Sequence, residues 1–88
     1  MANRDLIHRI RLARQKLDAG EYSVDDFVWS LEANGQALEG LLPRQVKRLR
    51  ELADSIEVAQ YALDENAIEG IINSLLEDLD VFLDNVSQ

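Results

Sequence analysis

From Asn66 to Val86 the chain carries Ile68, Ile71, Ile72, Leu75, Leu76, Leu79, Phe82, Leu83 and Val86 at helical spacing. Apolar residues recurring every three to four positions mark one face of a helix, and no strand has that period. Some 20 residues of helix rise about 30 Å at 1.5 Å per residue. A stripe this long and wide cannot be covered by one short element, so the chain must pack several helices around it. Asn66 and Glu69 have the N-cap-to-N3 spacing of a capping box, which places the expected start at Asn66. The opposite face carries Glu77, Asp78, Asp80 and Asp84 and no cation.

Three further stripes supply the neighbours. In the first, Arg4 to Asp18, Leu6, Ile10, Ala13 and Leu17 form a seam that Ile7 and Leu12 widen. Asn3 is its expected cap, Gly20 follows its end, and Asp5 stands four residues before Arg9 as a supporting ion pair. Its cations Arg9, Arg11, Arg14 and Lys16 are expected to offset acids elsewhere in the fold. The second helix opens with Ser23 and Asp26 at capping-box spacing, and Tyr22 is placed to staple onto Phe27. Phe27, Leu31, Leu38 and Leu41 continue its stripe beside Val28, and Asn34 falls on the apolar line just before Gly35. The helix is expected to pass through Gly35, at about 1 kcal/mol, and to run to about Glu39 with Gly40 as its stop. Trp29 points nearly opposite Phe27 and Leu31, among Asp25, Asp26, Glu32 and Ala33; core against a second neighbour and interface anchor both stay open. Pro43 suits the first turn of a third helix, whose stripe of Val46, Leu49, Leu52, Ala53, Ile56, Ala59 and Leu63 reaches about Ala62. The chain then turns at Asp64–Glu65–Asn66. Short loops force antiparallel neighbours, so the expected fold is all-α: one domain, 1–88, forming a small antiparallel four-helix bundle.

Charge divides the chain. All 9 cations lie in residues 1–50, whereas 51–88 hold 10 acids and no Lys or Arg, within a net charge of −8. Such a half repels nucleic acid and anionic membranes and attracts basic protein surfaces. Helix three is charged against its dipole, with Arg44, Lys47, Arg48 and Arg50 early and Glu51, Asp54 and Glu57 late. Antiparallel packing about residue 64 is expected to bring Arg44 level with Asp84, Arg48 with Asp80 and Glu51 with Glu77. The same register gathers Asp54, Glu57, Asp64, Glu65 and Glu69 at the other pole, where neither helix supplies a cation. That pole is the expected contact with an external partner.

No catalytic constellation accompanies it. His8 is the single histidine and stands on a basic helix, with no oriented nucleophile. Asp64-x-Asn66 opens like a calcium loop, but Ile68 and Glu69 occupy the third-ligand and glycine positions. The carboxylates of the last helix lack the facing Glu-x-x-His of di-metal bundles. There is no cysteine, no Gly-rich phosphate loop and no basic aromatic groove. The expectation is a non-enzymatic protein with no cofactor or metal. No apolar run approaches a membrane span and the N-terminus lacks a signal-peptide core, so a cytoplasmic location is expected.

Tyr61-x-Leu63-Asp64-Glu65-Asn66-Ala67-Ile68, running into Ser74-Leu75-Leu76-Glu77, resembles the corresponding stretch of the colicin D-type immunity proteins. The N-terminal half is similar in outline: an apolar helix, a turn ending Tyr22-Ser23, and Asp26-Phe27 opening helix two. The resemblance implies a helical bundle that binds a cognate bacterial ribonuclease toxin, a tRNase, and fills its basic RNA cleft with acidic residues. Leu52-Ala53-Asp54-Ser55-Ile56-Glu57 resembles the family's acidic segment, which carries the partner-binding role onto Asp54 and Glu57. With the acidic pole this makes Asp54, Glu57, Tyr61, Asp64, Glu65 and Glu69 the candidate contacts. The link to Tyr61 is shorter than in the family and its usual Pro-Asp bend is missing, which leaves the target toxin open. A monomer when free is expected. The alternative is a regulatory adaptor or dimeric module held by leftover apolar surface at Trp29, Leu41 and Leu42.

Overall fold

The computed structural model describes residues 2–62 and 64–87. They form four helices, α1 (Asn3–Asp18), α2 (Val24–Gln36), α3 (Pro43–Ala59) and α4 (Glu65–Val86), with no strand among them. The expected place of Leu63 on the third stripe lies outside the described residues. Each helix packs mainly on its neighbours in the chain, the arrangement of a compact helical bundle. No described helix is long and apolar enough to cross a membrane.

Core and caps follow the stripes. Ile10, Phe27, Leu31, Leu52, Ile56, Leu76, Leu79 and Leu83 are fully buried, so every helix contributes to one core. The α4 stripe is narrower than its sequence suggests: Leu75 is only half-buried and Ile71 is exposed. Ser23 caps α2 as expected: its Oγ accepts from the Asp26 N–H, and the Asp26 carboxylate accepts from the Ser23 N–H. Pro43 opens α3, and the Gln45 side chain accepts from the Leu42 N–H at 2.8 Å. The end of α1 is a Schellman motif, with the Glu21 N–H returning to the Lys16 carbonyl over Gly20 at φ 77°.

Two expected caps are different. Asp64, not Asn66, caps α4: its carboxylate accepts from the Asn66 N–H at 3.0 Å, and a full negative charge suits a helix N-terminus better than an amide. Asn3 lies inside α1, whose N-cap is Ala2. Its side chain instead grips the backbone of Glu39, donating to the carbonyl at 2.6 Å and accepting from the N–H at 2.8 Å. That contact explains why α2 stops at Gln36 rather than about Glu39. The Glu39 N–H, which a continuing helix would direct to the Gly35 carbonyl, is engaged by α1.

The helix does pass through Gly35, and the reason is packing. A Cβ there would stand 2.7 Å from Cδ2 of Leu49, so the missing side chain lets α3 approach α2. Gly35→Leu is expected to destabilise the fold by about 1–3 kcal/mol through overpacking, despite leucine's better helix propensity. Urea denaturation checks this, and a more stable variant would show that the two helices separate freely.

The expected ion pairs are largely rearranged. Asp84 pairs with Arg11 at 2.8 Å and Asp80 with Arg14 at 3.7 Å, so the cations facing the acidic end of α4 come from α1. Arg44 does not meet Asp84. Arg48 meets Asp78 at 3.8 Å rather than Asp80, a register two residues tighter than expected. Asp5 and Arg9 do not pair; Arg14 with Asp18 and Lys47 with Glu51 are the pairs within helices among the described residues. The role expected of the α1 cations, offsetting the acidic second half, thus falls to Arg11 and Arg14.

Candidate functional site

The antiparallel register of α2 and α3, held close at Gly35, aligns one flank of each helix along a shared seam. Glu32 from α2 and Asp54 and Glu57 from α3 bring carboxylate oxygens within 4.8 Å of one another, and all three are exposed. One end of the seam is fixed by Gln60 Nε2, which donates to the Asp25 carboxylate at 2.7 Å. Below the acids runs an open groove of about 430 Å³ with Leu31, Leu38, Val46, Leu49 and Ala53 among its walls. Arg50 also lines it but pairs with no carboxylate within 4 Å among the described residues, so a cation stands nearer this pole than expected.

Exposed apolar residues border the acids. Trp29 stands one turn after Asp25 on α2 and is 74% exposed, which settles its place: it is not core. Val58 on α3 and Tyr61 in the turn beyond it follow Glu57 and are 68% and 71% exposed. Exposed Trp and Tyr are residue types in which interface hot spots concentrate, commonly inside a polar rim.

Of the expected contacts, the structure brings Asp54 and Glu57 together and leaves Tyr61 open at the end of α3. Asp64 has an internal role as the cap of α4, and Glu65 lies in that helix's first turn, where the dipole favours it. Glu69 is exposed on α4, beyond the α3–α4 turn from the carboxylate group. Glu32 is the residue missed. Sequence placed it on an acidic face beside Trp29 but gave no link to α3; Gly35, three residues on and next to last in α2, was the available signal of close approach.

Three clustered carboxylates are donors of the kind a hard cation takes, but exposed acidic groups like these are common without one. Chemically the group is a fixed negative surface. It works against the fold: two like charges 4 Å apart repel by about 1 kcal/mol even in bulk water, and Glu57 sits in the last turn of α3, where the dipole disfavours an acid. Glu57→Lys is therefore expected to raise stability by about 1 kcal/mol, or roughly 4–8 °C in Tm for a domain of this size. Calorimetry checks it, and a lower Tm would mean that Glu57 makes a stabilising contact.

Comparison with protein-family models, with curated proteins and with solved structures returned no match to this chain.

Proposed function

We propose that the protein is an immunity protein: a non-enzymatic inhibitor whose acidic α2–α3 seam enters the basic RNA-binding cleft of a cognate bacterial ribonuclease toxin, a tRNase. The observation that carries this reading is the convergence of Glu32, Asp54 and Glu57 on an exposed surface between two helices, beside Trp29 and Tyr61. Carboxylates held side by side imitate the phosphates such a cleft is built to bind. A surface kept at some cost in stability is the usual mark of a functional site. Charge complementarity of this kind speeds encounter and selects the partner. The resemblance to the colicin D-type immunity proteins adds the class of partner, and a cytoplasmic, cofactor-free monomer is the corresponding form.

The exposed Trp29 also favours a second reading, an adaptor or dimeric module, to which Leu42 contributes further exposed apolar surface. Light scattering separates the two, because the inhibitor is a monomer when free. The direct test is the reading frame beside this one. Its product should be a toxin whose cleavage of tRNA stops at one equivalent of this protein, and an unrelated neighbour together with a stable dimer would favour the adaptor.

A further inference from the structure

The other flank of α2 carries a surface of opposite character. Arg9, Leu12 and Lys16 of α1 line a groove of about 400 Å³ with Tyr22 and with Trp29 of α2. Leu12, which the sequence assigns to the core seam, is exposed at 41%. Among the described residues neither Arg9 nor Lys16 has a carboxylate within 4 Å, although acids outnumber bases 17 to 9 and Arg11 and Arg14 on the same helix are both paired. The Lys16 ammonium lies 5.1 Å from the centre of the Tyr22 ring, a cation–π distance that holds it at the groove. A basic aromatic groove is thus present where the sequence showed none, assembled from two helices.

We infer that this α1–α2 groove is a second docking site, taking an acidic helical segment of a partner protein that carries an apolar side chain between two carboxylates. Charge complementarity selects the acids. Spacing selects the pattern: Arg9 and Lys16 are seven residues apart on one helix, about 10 Å at 1.5 Å per residue, with Leu12 between them. A segment lying along α1 meets them with acids seven residues apart and a leucine midway, over Leu12 and Trp29. The site shares only Trp29 with the border of the acidic seam; Arg9, Leu12, Lys16 and Tyr22 are other side chains, and Arg9 and Lys16 carry the opposite charge. Nucleic acid is the weaker occupant, because two cations on a chain of net charge −8 neutralise few phosphates.

Trp29 is the single tryptophan, so its emission reports on the groove directly. The probes are a stapled helical peptide with two Glu seven residues apart flanking a Leu, the same peptide with Lys for Glu, and a single-stranded oligonucleotide, each titrated at low and high salt. The expected result is a saturable emission change with the Glu peptide alone. Its affinity should fall at least tenfold in the R9E/K16E double variant and with added salt, and stay unchanged in Glu32→Lys. Circular dichroism confirms that each variant keeps its helices, and Leu12→Ser is the second variant should the double one unfold. No response to the Glu peptide up to millimolar concentration, an equal response to the Lys peptide, or preference for the oligonucleotide overturns the inference. So does mass growing with protein concentration in sedimentation, which would assign the groove to a second copy.

Discussion

Phe27→Ala is expected to cost about 3–5 kcal/mol, the largest loss from a single truncation in this fold. Phe27 has no solvent exposure, and it sits in the first turn of α2, the helix that packs on both α1 and α3. Removing the ring leaves a cavity the surrounding helices can only partly close. An 88-residue domain has roughly 4–13 kcal/mol of stability in all, at about 0.05–0.15 kcal/mol per residue. The variant should therefore unfold at a far lower urea midpoint, or be unfolded without denaturant. Leu75→Ala is the control. Leu75 lies midway along the apolar stripe of the sequence, and truncating a leucine at the centre of a core to alanine costs about 2–5 kcal/mol. The structure leaves it half-buried and gives the central place to Leu79, so Leu75→Ala should fall short of that range. Equal losses for Phe27 and Leu75 would contradict the burial described.

Asp54→Lys is expected to weaken partner binding by a few orders of magnitude. Truncating one member of a buried charge pair costs about 2–5 kcal/mol, and reversal adds repulsion from the cleft's own cations. Glu32→Lys should behave alike, because its carboxylate belongs to the same group. Asp84→Lys should leave binding nearly unchanged and only mildly lower the melting temperature, since Asp84 faces Arg11 across the bundle. Isothermal titration against the toxin, run beside thermal melts, reads both effects. Loss of binding in Asp84→Lys with Asp54→Lys intact would put the site at the wrong end of the molecule.

Much of the local chemistry was legible in the sequence, although the cap of α4 is Asp64 rather than Asn66 and Asp5 does not pair with Arg9. The Ser23–Asp26 box, Pro43 at the start of α3 and the four apolar stripes each specify their own element, and the short loops leave little choice but an antiparallel bundle. The larger misses depend on residues far apart in the chain. Asn3 reads as a cap, yet residue 39 offers it a better pair of backbone partners than α1 does. The cations facing Asp80 and Asp84 were sought on α3, the nearest helix in sequence; they come from α1, at the other end of the chain. The acidic site was read as a pole of the α3–α4 hairpin for the same reason. The close approach at Gly35 joins Glu32 to Asp54 and Glu57 across α2 and α3, whereas Asp64 is engaged in capping. Trp29 was undecidable because helical angle gives a direction but not the neighbour that fills it.

The central claim, that the α2–α3 seam is the surface a basic partner covers, is tested most directly by mapping amide chemical shifts of the labelled protein as the toxin is added. The account predicts the largest changes in residues 29–36 and 50–61, around Glu32, Asp54, Glu57 and Tyr61, with residues 77–86 nearly still. Changes confined to the C-terminal half of α4, with the seam unmoved, would contradict it.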